Sequence, residues 1–136
     1  MITIVELVDV CARECGRSGA LFERLGAWVP DTRHGPLQRL FANACHRHAW
    51  HAELWSGRAP TVPLAADLVG PPVIADADTD PDRWAAYAAA LGVARSDLET
   101  LRSRVDPDLD PSTARVLDLV GNDLRQLTVT VTGIRF

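Results

Sequence analysis

Two histidines three residues apart, His48 and His51, lie on what the hydrophobic pattern predicts to be the inward face of a helix. A carboxylate, Glu14, takes the matching inward position on the helix before it. Two neutral imidazoles and one carboxylate that face a common point form the 2-His-1-carboxylate arrangement, which suits Fe(II) and leaves coordination positions open for oxygen or substrate. The three residues therefore predict half of a metal site in a helical bundle.

The inward faces follow from apolar residues that recur alternately every three and four positions. In the first helix this series is Leu7, Cys11, Glu14, Ser18, Leu21, Leu25 and Trp28. In the second helix it is Leu37, Phe41, Ala44, His48, His51 and Trp55. An ionisable group at such a position is costly unless it is paired, neutral or bound to metal. The ionisable exceptions to the apolar pattern are therefore the candidates for chemistry.

The position of each residue along its helix gives a second argument. Antiparallel helices joined by a short loop bring together residues that are equally far from the turn. The turn, around residues 29–32, is about 18 residues from Glu14 and about 16 to 19 residues from His48 and His51, or roughly 25 to 28 Å of helix on each side. We therefore expect the carboxylate to meet the two imidazoles.

These side chains require helices that hold them at one level. We expect the first helix over residues 3–28 and the second over residues 35–56. Residues 57–79 are rich in Pro, Gly and Asp, which predicts a long connection that could cover one end of the bundle. A crossover of this length lets the third helix begin at either end of the first pair.

Two proline-containing pairs mark the remaining helix starts. Asp80-Pro81 and Asp110-Pro111 each have the pattern of an N-cap followed by proline in the first helical position. A break in the third helix is expected over residues 92–99, where a glycine precedes a Ser-x-x-Glu pattern typical of a capping box. The sequence thus predicts one all-α domain over residues 1–136, an antiparallel four-helix bundle with a long second crossover.

The second pair of helices adds two candidates. Asp123 lies on the inward face of the fourth helix, where it could supply a fourth oxygen ligand or an acceptor that orients an imidazole. Tyr87, the only tyrosine, lies on the inward face of the third helix, where it either donates a proton or a hydrogen bond near the site or is structural. The third helix offers no inward carboxylate, which argues against a complete two-metal site. The predicted metal ligands are Glu14, His48, His51 and Asp123, and the predicted catalytic residues are Glu14, His48, His51 and Tyr87.

Composition limits the function classes. A chain of 136 residues with 47% apolar content can form one domain with a core. The net charge of −4 argues against a nucleic-acid partner, which needs clustered Lys and Arg. The absence of a long apolar run and of a secretory signal leads us to expect a cytoplasmic protein with no membrane partner. A small-molecule substrate is the expected partner, and tryptophans on several predicted helices are compatible with a homodimer.

The run CHRHAWHAELW over residues 45–55, with LGAWVP over residues 25–30, resembles small ferritin-like proteins of high-GC bacteria. Ferritin-like proteins are four-helix carboxylate bundles, and in their di-iron members each hairpin contributes a Glu from its first helix and Glu-x-x-His from its second. Glu14 matches the first Glu, His48 stands where the motif has Glu, and His51 matches its His. The resemblance covers the first two helices, and the second half shares only the helix layout.

On the second hairpin, Asp123 is the nearest match to a motif carboxylate, and Gln126 stands at the histidine position. The resemblance therefore implies a mononuclear site or a degenerate di-iron site rather than a complete di-iron centre.

Three functional classes are open at this point. The first is a small metal-dependent oxidoreductase in which Glu14, His48 and His51 hold iron, or another divalent transition metal, beside oxygen and an organic substrate. The second is a metal-independent cyclase or isomerase that uses the same side chains as acid and base. The third is a non-catalytic binding protein in which they form a hydrogen-bonded polar network. We expect the first.

Overall fold

Four helices make up the computed structural model, which describes residues 2–58 and 73–136. They are α1 (Ile4–Trp28), α2 (Gly35–Arg58), α3 (Asp80–Arg102) and α4 (Pro111–Thr132). A short 3-10 helix, Val29–Asp31, connects α1 to α2. The main contacts join α1 to α2, α3 to α4, and α2 to α4. The predicted all-α four-helix bundle is confirmed.

The first helix begins with a capping box. The Thr3 hydroxyl accepts a hydrogen bond from the Glu6 backbone N–H at 3.2 Å, and the Glu6 carboxylate accepts one from the Thr3 N–H at 2.8 Å. These two bonds satisfy amide groups that have no partner inside the helix. Glu14 lies 11 residues after Thr3, well inside the helix, so its backbone position is fixed.

The start of α4 is tied to the end of α2. Asp110 is the N-cap and accepts a hydrogen bond from the Thr113 backbone N–H at 3.1 Å, as the Asp-Pro pattern predicts. Arg58, the last residue of α2, donates to Asp110 Oδ1 at 3.1 Å and to Thr113 Oγ1 at 2.7 Å. The cap of one helix is therefore shared with the final side chain of another.

The start of α3 differs from the prediction by one residue. Thr79, not Asp80, is the N-cap, and its side chain accepts from the Asp82 N–H at 3.2 Å. Asp80 instead accepts hydrogen bonds from the backbone N–H groups of Arg33 and His34, at 3.1 and 2.8 Å. Asp80, which was expected to cap α3, therefore links the start of α3 to the residues just before α2.

The expected break in α3 is wrong, because the helix runs continuously from Asp80 to Arg102. Gly92 is solvent-exposed and has no positive φ, so it neither ends the helix nor leaves a gap in the core. The Ser-x-x-Glu pattern that follows lies inside a formed helix, and Asp97 within it forms an ion pair with Arg17 of α1. A strong run of alanine and leucine around Gly92 outweighs the cost of one glycine.

The end of α4 remains helical through its β-branched residues. Thr128, Thr130 and Thr132 each donate a hydroxyl hydrogen bond to a backbone carbonyl four residues earlier.

The crossover between α2 and α3 is described from residue 73 onward. Asp76 in this part accepts a hydrogen bond from the Trp28 indole at 2.9 Å. The predicted cover over one end of the bundle falls mostly on residues 59–72, which lie outside the described residues. None of the four helices described here has the length and apolar character that crossing a membrane demands.

Candidate functional site

All five predicted site residues are buried. Glu14 is 5% exposed, His48 and His51 are 1% exposed, Tyr87 is 0% exposed and Asp123 is 7% exposed. Each therefore lies on the inward face of its helix, and each carries a polar group into the core. The arrangement of those groups decides which chemistry they can do.

His51 on α2 and Asp123 on α4 form a direct hydrogen bond. The distance from His51 Nε2 to Asp123 Oδ2 is 2.8 Å, and the second oxygen, Oδ1, accepts from Arg47 Nη1 at 3.0 Å. An ionised carboxylate only accepts hydrogen bonds, so the hydrogen in the first contact lies on Nε2. The neutral imidazole is thereby fixed as the tautomer whose Nδ1 has a free lone pair.

Among residues 2–58 and 73–136, this lone pair has no hydrogen-bond partner. His51 Nδ1 is buried, and no hydrogen-bond donor within the described parts of the chain reaches it. Buried polar atoms are satisfied in the great majority of cases, so an unsatisfied one in the core calls for an explanation. A basic nitrogen held in one tautomer and left without a donor is poised to accept a proton.

His48 and Tyr87 form the second polar pair, between α2 and α3. Their closest atoms, His48 Nε2 and Tyr87 Oη, are 2.8 Å apart. Burial lowers the pKa of His48 to about 3, with a smaller lowering by His51, and burial also raises the pKa of Tyr87. Both side chains are therefore neutral at pH 7. One hydrogen, from either Tyr87 Oη or His48 Nε2, forms the hydrogen bond between them.

The two pairs are neighbours. The ring centroids of His48 and His51 are 5.5 Å apart, and the rings meet at 81°. Burial lowers the pKa of His51, although its hydrogen bond to Asp123 acts in the opposite direction. The bundle thus holds two neutral imidazoles side by side, each with a hydrogen-bond partner from the second hairpin.

Glu14 has different partners from those expected. Its carboxylate lies 3.7 Å from Arg17 Nη1, one turn later on α1, and Arg17 also pairs with Asp97 of α3. Burial raises the pKa of Glu14, and Arg17 is the largest influence in the other direction. Glu14 therefore belongs to an ion-pair group between α1 and α3, in which it contacts Arg17 and not the histidines.

The donor atoms can be compared with what a metal ion requires. Neutral imidazoles and carboxylates suit iron and other divalent transition metals. However, both Nε2 atoms face hydrogen-bond partners, and residues 2–58 and 73–136 contain no group of three His, Cys, Asp or Glu side chains that could hold a metal ion. The residues have the right chemistry but do not fit a metal site in this arrangement, and the metal ligand set stays a prediction.

Sequence reasoning missed two participants. Arg47 precedes His51 by four residues, so it lies at the edge of the same helix face and can reach the carboxylate that His51 contacts. Trp55 was assigned only to the core, yet its indole Nε1 is buried and has no partner in the described structure. The i, i+4 spacing from His51 was the available signal in both cases.

Comparison of the chain with protein-family models, with curated proteins and with solved structures gave no match. The geometry of the site is therefore the basis for a functional proposal.

Proposed function

We propose that this protein is a metal-independent acid–base enzyme that moves a proton on a small organic molecule, as a cyclase or isomerase does. The observation that carries the proposal is the buried Nδ1 of His51, which has no partner in the described part of the chain, on an imidazole whose Nε2–H is donated to Asp123. A histidine oriented by a carboxylate is a frequent general base, because the partner fixes the tautomer and stabilises the imidazolium.

In this mechanism Nδ1 of His51 takes a proton from the substrate. The positive charge that develops on the ring is offset by Asp123, 2.8 Å away, while Arg47 holds the other carboxylate oxygen at 3.0 Å. Return of the proton to a different atom of the substrate completes an isomerisation with no change in oxidation state. Burial lowers the pKa of His51, which keeps the base unprotonated at neutral pH.

Tyr87 and His48 supply a second proton-carrying group. Their 2.8 Å contact lies beside His51, and Tyr87 keeps its hydroxyl proton because burial raises its pKa. We assign Tyr87 the role of hydrogen-bond donor to the substrate, with His48 as the acceptor that positions its hydroxyl when the site is empty.

The route from solvent lies on the outer side of α2. Trp50 is 38% exposed, and its ring centroid is 5.9 Å from that of His51. The Arg47 side chain is 43% exposed and lies over Asp123, whose side chain is 10% exposed. We therefore assign Trp50 and Arg47 as the side chains whose displacement admits a small molecule to the imidazole.

The test is hydrogen exchange on model substrates. A panel of small ketones and hydroxyketones is incubated with the protein in deuterium oxide, and loss of the proton next to the carbonyl is followed by NMR. We expect His51→Gln to lose at least 100-fold of the enzyme-dependent rate, in line with the usual contribution of a general base. His46→Gln, at an exposed position of the same helix, is the matched control and keeps the rate. Equal rates in wild type and His51→Gln would overturn the proposal.

The metal-dependent oxidoreductase is the second candidate, together with the ferritin-like relationship on which it rests. It is favoured by one observation, that His48 and His51 are both 1% exposed with ring centroids 5.5 Å apart, because such burial keeps two imidazoles unprotonated, as metal ligation requires. Glu14 and Asp123 complete the proposed ligand set. Iron bound there would supply redox chemistry with oxygen.

Metal analysis separates the two candidates. Protein without an affinity tag is equilibrated with Fe(II) under anaerobic conditions, and the metal content of wild type and His51→Ala is measured by plasma mass spectrometry. About one metal per wild-type chain, lost in the variant, supports the second candidate. A metal-free wild-type protein contradicts it and leaves the acid–base proposal unaffected.

A further inference from the structure

Two unpartnered polar atoms lie one helical turn apart on the inward face of α2. They are Nδ1 of His51 and Nε1 of Trp55, and both are buried without a hydrogen-bond partner among the residues described. His51 is 1% exposed and Trp55 is 0% exposed. Residues four apart on a helix are neighbours, and the later side chain leans back toward the earlier one.

The two atoms are complementary. Nδ1 of His51 is an acceptor, because the ring hydrogen lies on Nε2 in the contact with Asp123. Nε1–H of Trp55 is a donor and cannot accept. A hydroxyl group is the smallest chemical group that donates one hydrogen bond and accepts another through the same oxygen atom.

The unpartnered indole is unusual in this molecule. The indole N–H of Trp28 donates to Asp76 at 2.9 Å, and that of Trp84 donates to the backbone carbonyl of Val131 at 2.8 Å. Both of those tryptophans are less deeply buried than Trp55. Solvent water can therefore replace a missing acceptor less easily at Trp55 than at the other two. Among the described residues, the most enclosed indole thus has no acceptor, and the imidazole four residues earlier on the same helix has no donor at Nδ1.

We infer that His51 and Trp55 hold the hydroxyl group of an organic ligand, with the ligand O–H donating to Nδ1 and its oxygen accepting from Nε1–H. This inference rests on the proposed function and narrows the substrate class to small alcohols and enols. Transfer of the hydroxyl proton to Nδ1 leaves an oxyanion that the indole N–H stabilises, with the imidazolium held by Asp123. No oxidant or further reactant is needed for this step.

The test uses the indole N–H resonances of 15N-labelled protein. The chain has four tryptophans, and loss of one resonance in Trp55→Phe identifies the signal of Trp55. We expect 2-propanol to move this signal downfield in a saturable way. Acetone has the same carbon skeleton but cannot donate a hydrogen bond to Nδ1, so we expect at least a fivefold weaker response. Trp84→Phe, at a position whose indole donates to the backbone carbonyl of Val131, is the control variant and keeps the response to 2-propanol.

The outcomes separate this inference from the proposed function. An alcohol-insensitive Trp55 signal, or equal responses to 2-propanol and acetone, overturns the hydroxyl site. A signal already shifted downfield in buffer and indifferent to alcohols shows that water alone occupies the position, which also overturns it. Saturable alcohol binding together with unchanged deuterium exchange in His51→Gln would support the hydroxyl site and overturn the base.

Discussion

Asp123 of α4 accepts a hydrogen bond from His51 of α2 across 72 positions of sequence, with 2.8 Å between oxygen and nitrogen. This contact joins the two helical hairpins inside the core. It sets the tautomer of the imidazole and leaves Nδ1 as the available basic atom.

Replacing Asp123 by Asn should weaken both the fold and the chemistry. The amide keeps the shape of the side chain but removes the charge that Arg47 contacts, and its two ends no longer both act as acceptors. We expect a loss of about 1 to 3 kcal/mol in the free energy of unfolding, measured by urea denaturation. Asp118→Asn is the matched control on the same helix. Its ion pair with Arg102 is exposed, so we expect a change of about 0 to 1 kcal/mol. Equal losses in the two variants would contradict a special role for Asp123.

Acid should destabilise the protein through His48. Burial lowers its pKa from 6.5 to about 3, so the unfolded chain binds a proton on this residue at pH values where the folded chain does not. Protonation of the unfolded chain therefore does not lower the free energy of unfolding above pH 6.5. Below pH 6.5 it lowers this free energy progressively, until the pH reaches about 3. The slope per histidine approaches about 1.4 kcal/mol per pH unit within this window.

The measurement is the free energy of unfolding of wild type and His48→Gln at half-unit intervals from pH 7 to pH 4. The free energy of unfolding of the variant should fall less steeply with decreasing pH than that of wild type. The difference in slope corresponds to one proton, since glutamine does not titrate. Identical slopes in the two proteins would show that His48 is not the group responsible.

Glu14→Gln should stabilise the fold at neutral pH. Burial raises the pKa of this carboxyl, so the folded state disfavours the ionised form at every pH above the ordinary value of 4.5. The variant removes this cost, and we expect a gain on the order of 1 kcal/mol at pH 7 that disappears below about pH 4. The control is Glu23→Gln, an exposed position on the same helix, which should be neutral. A loss of stability in Glu14→Gln at pH 7 would show that its contact with Arg17 outweighs burial.

Tyr87→Phe should reveal the coupling between Tyr87 and His48. The variant leaves His48 Nε2 buried without its 2.8 Å partner, so we expect a loss of about 1 to 3 kcal/mol. A double-mutant cycle with His48→Gln isolates the pair, and we expect a coupling energy of about 1 kcal/mol. Additive effects would mean that the contact contributes nothing beyond packing.

Much of the fold could be predicted because the apolar spacing and the helix-start residues are local signals. The inward positions of Glu14, His48, His51, Tyr87 and Asp123 follow from the same spacing. The continuity of α3 was missed, because a glycine and a capping pattern were weighted above the surrounding helix formers. The N-cap at Thr79 was missed because Asp80 could either cap α3 or accept hydrogen bonds from elsewhere in the fold. In the structure it accepts them from the backbone before α2, and Thr79 caps the helix.

The partners of the buried side chains were less predictable than their burial. Periodicity places Glu14 on the inner face but does not show that Arg17, three residues later, can fold back over it. The match between His51 and Asp123 depends on the rotation of α4 relative to α2, which no local pattern encodes. Periodicity alone also cannot identify an atom such as Nδ1 of His51, whose significance lies in the partner that it lacks.

Arg58 is the last residue of α2, and its side chain donates hydrogen bonds to Asp110 and Thr113, which form the N-terminal cap of α4. The opening turn of α4 should therefore exchange its amide hydrogens on the timescale of separation of the two hairpins, and not by independent fraying of a helix end. A half-buried arginine in this way makes two distant stretches of chain one cooperative unit, and the amides next to Asp110 report when the bundle opens around His51.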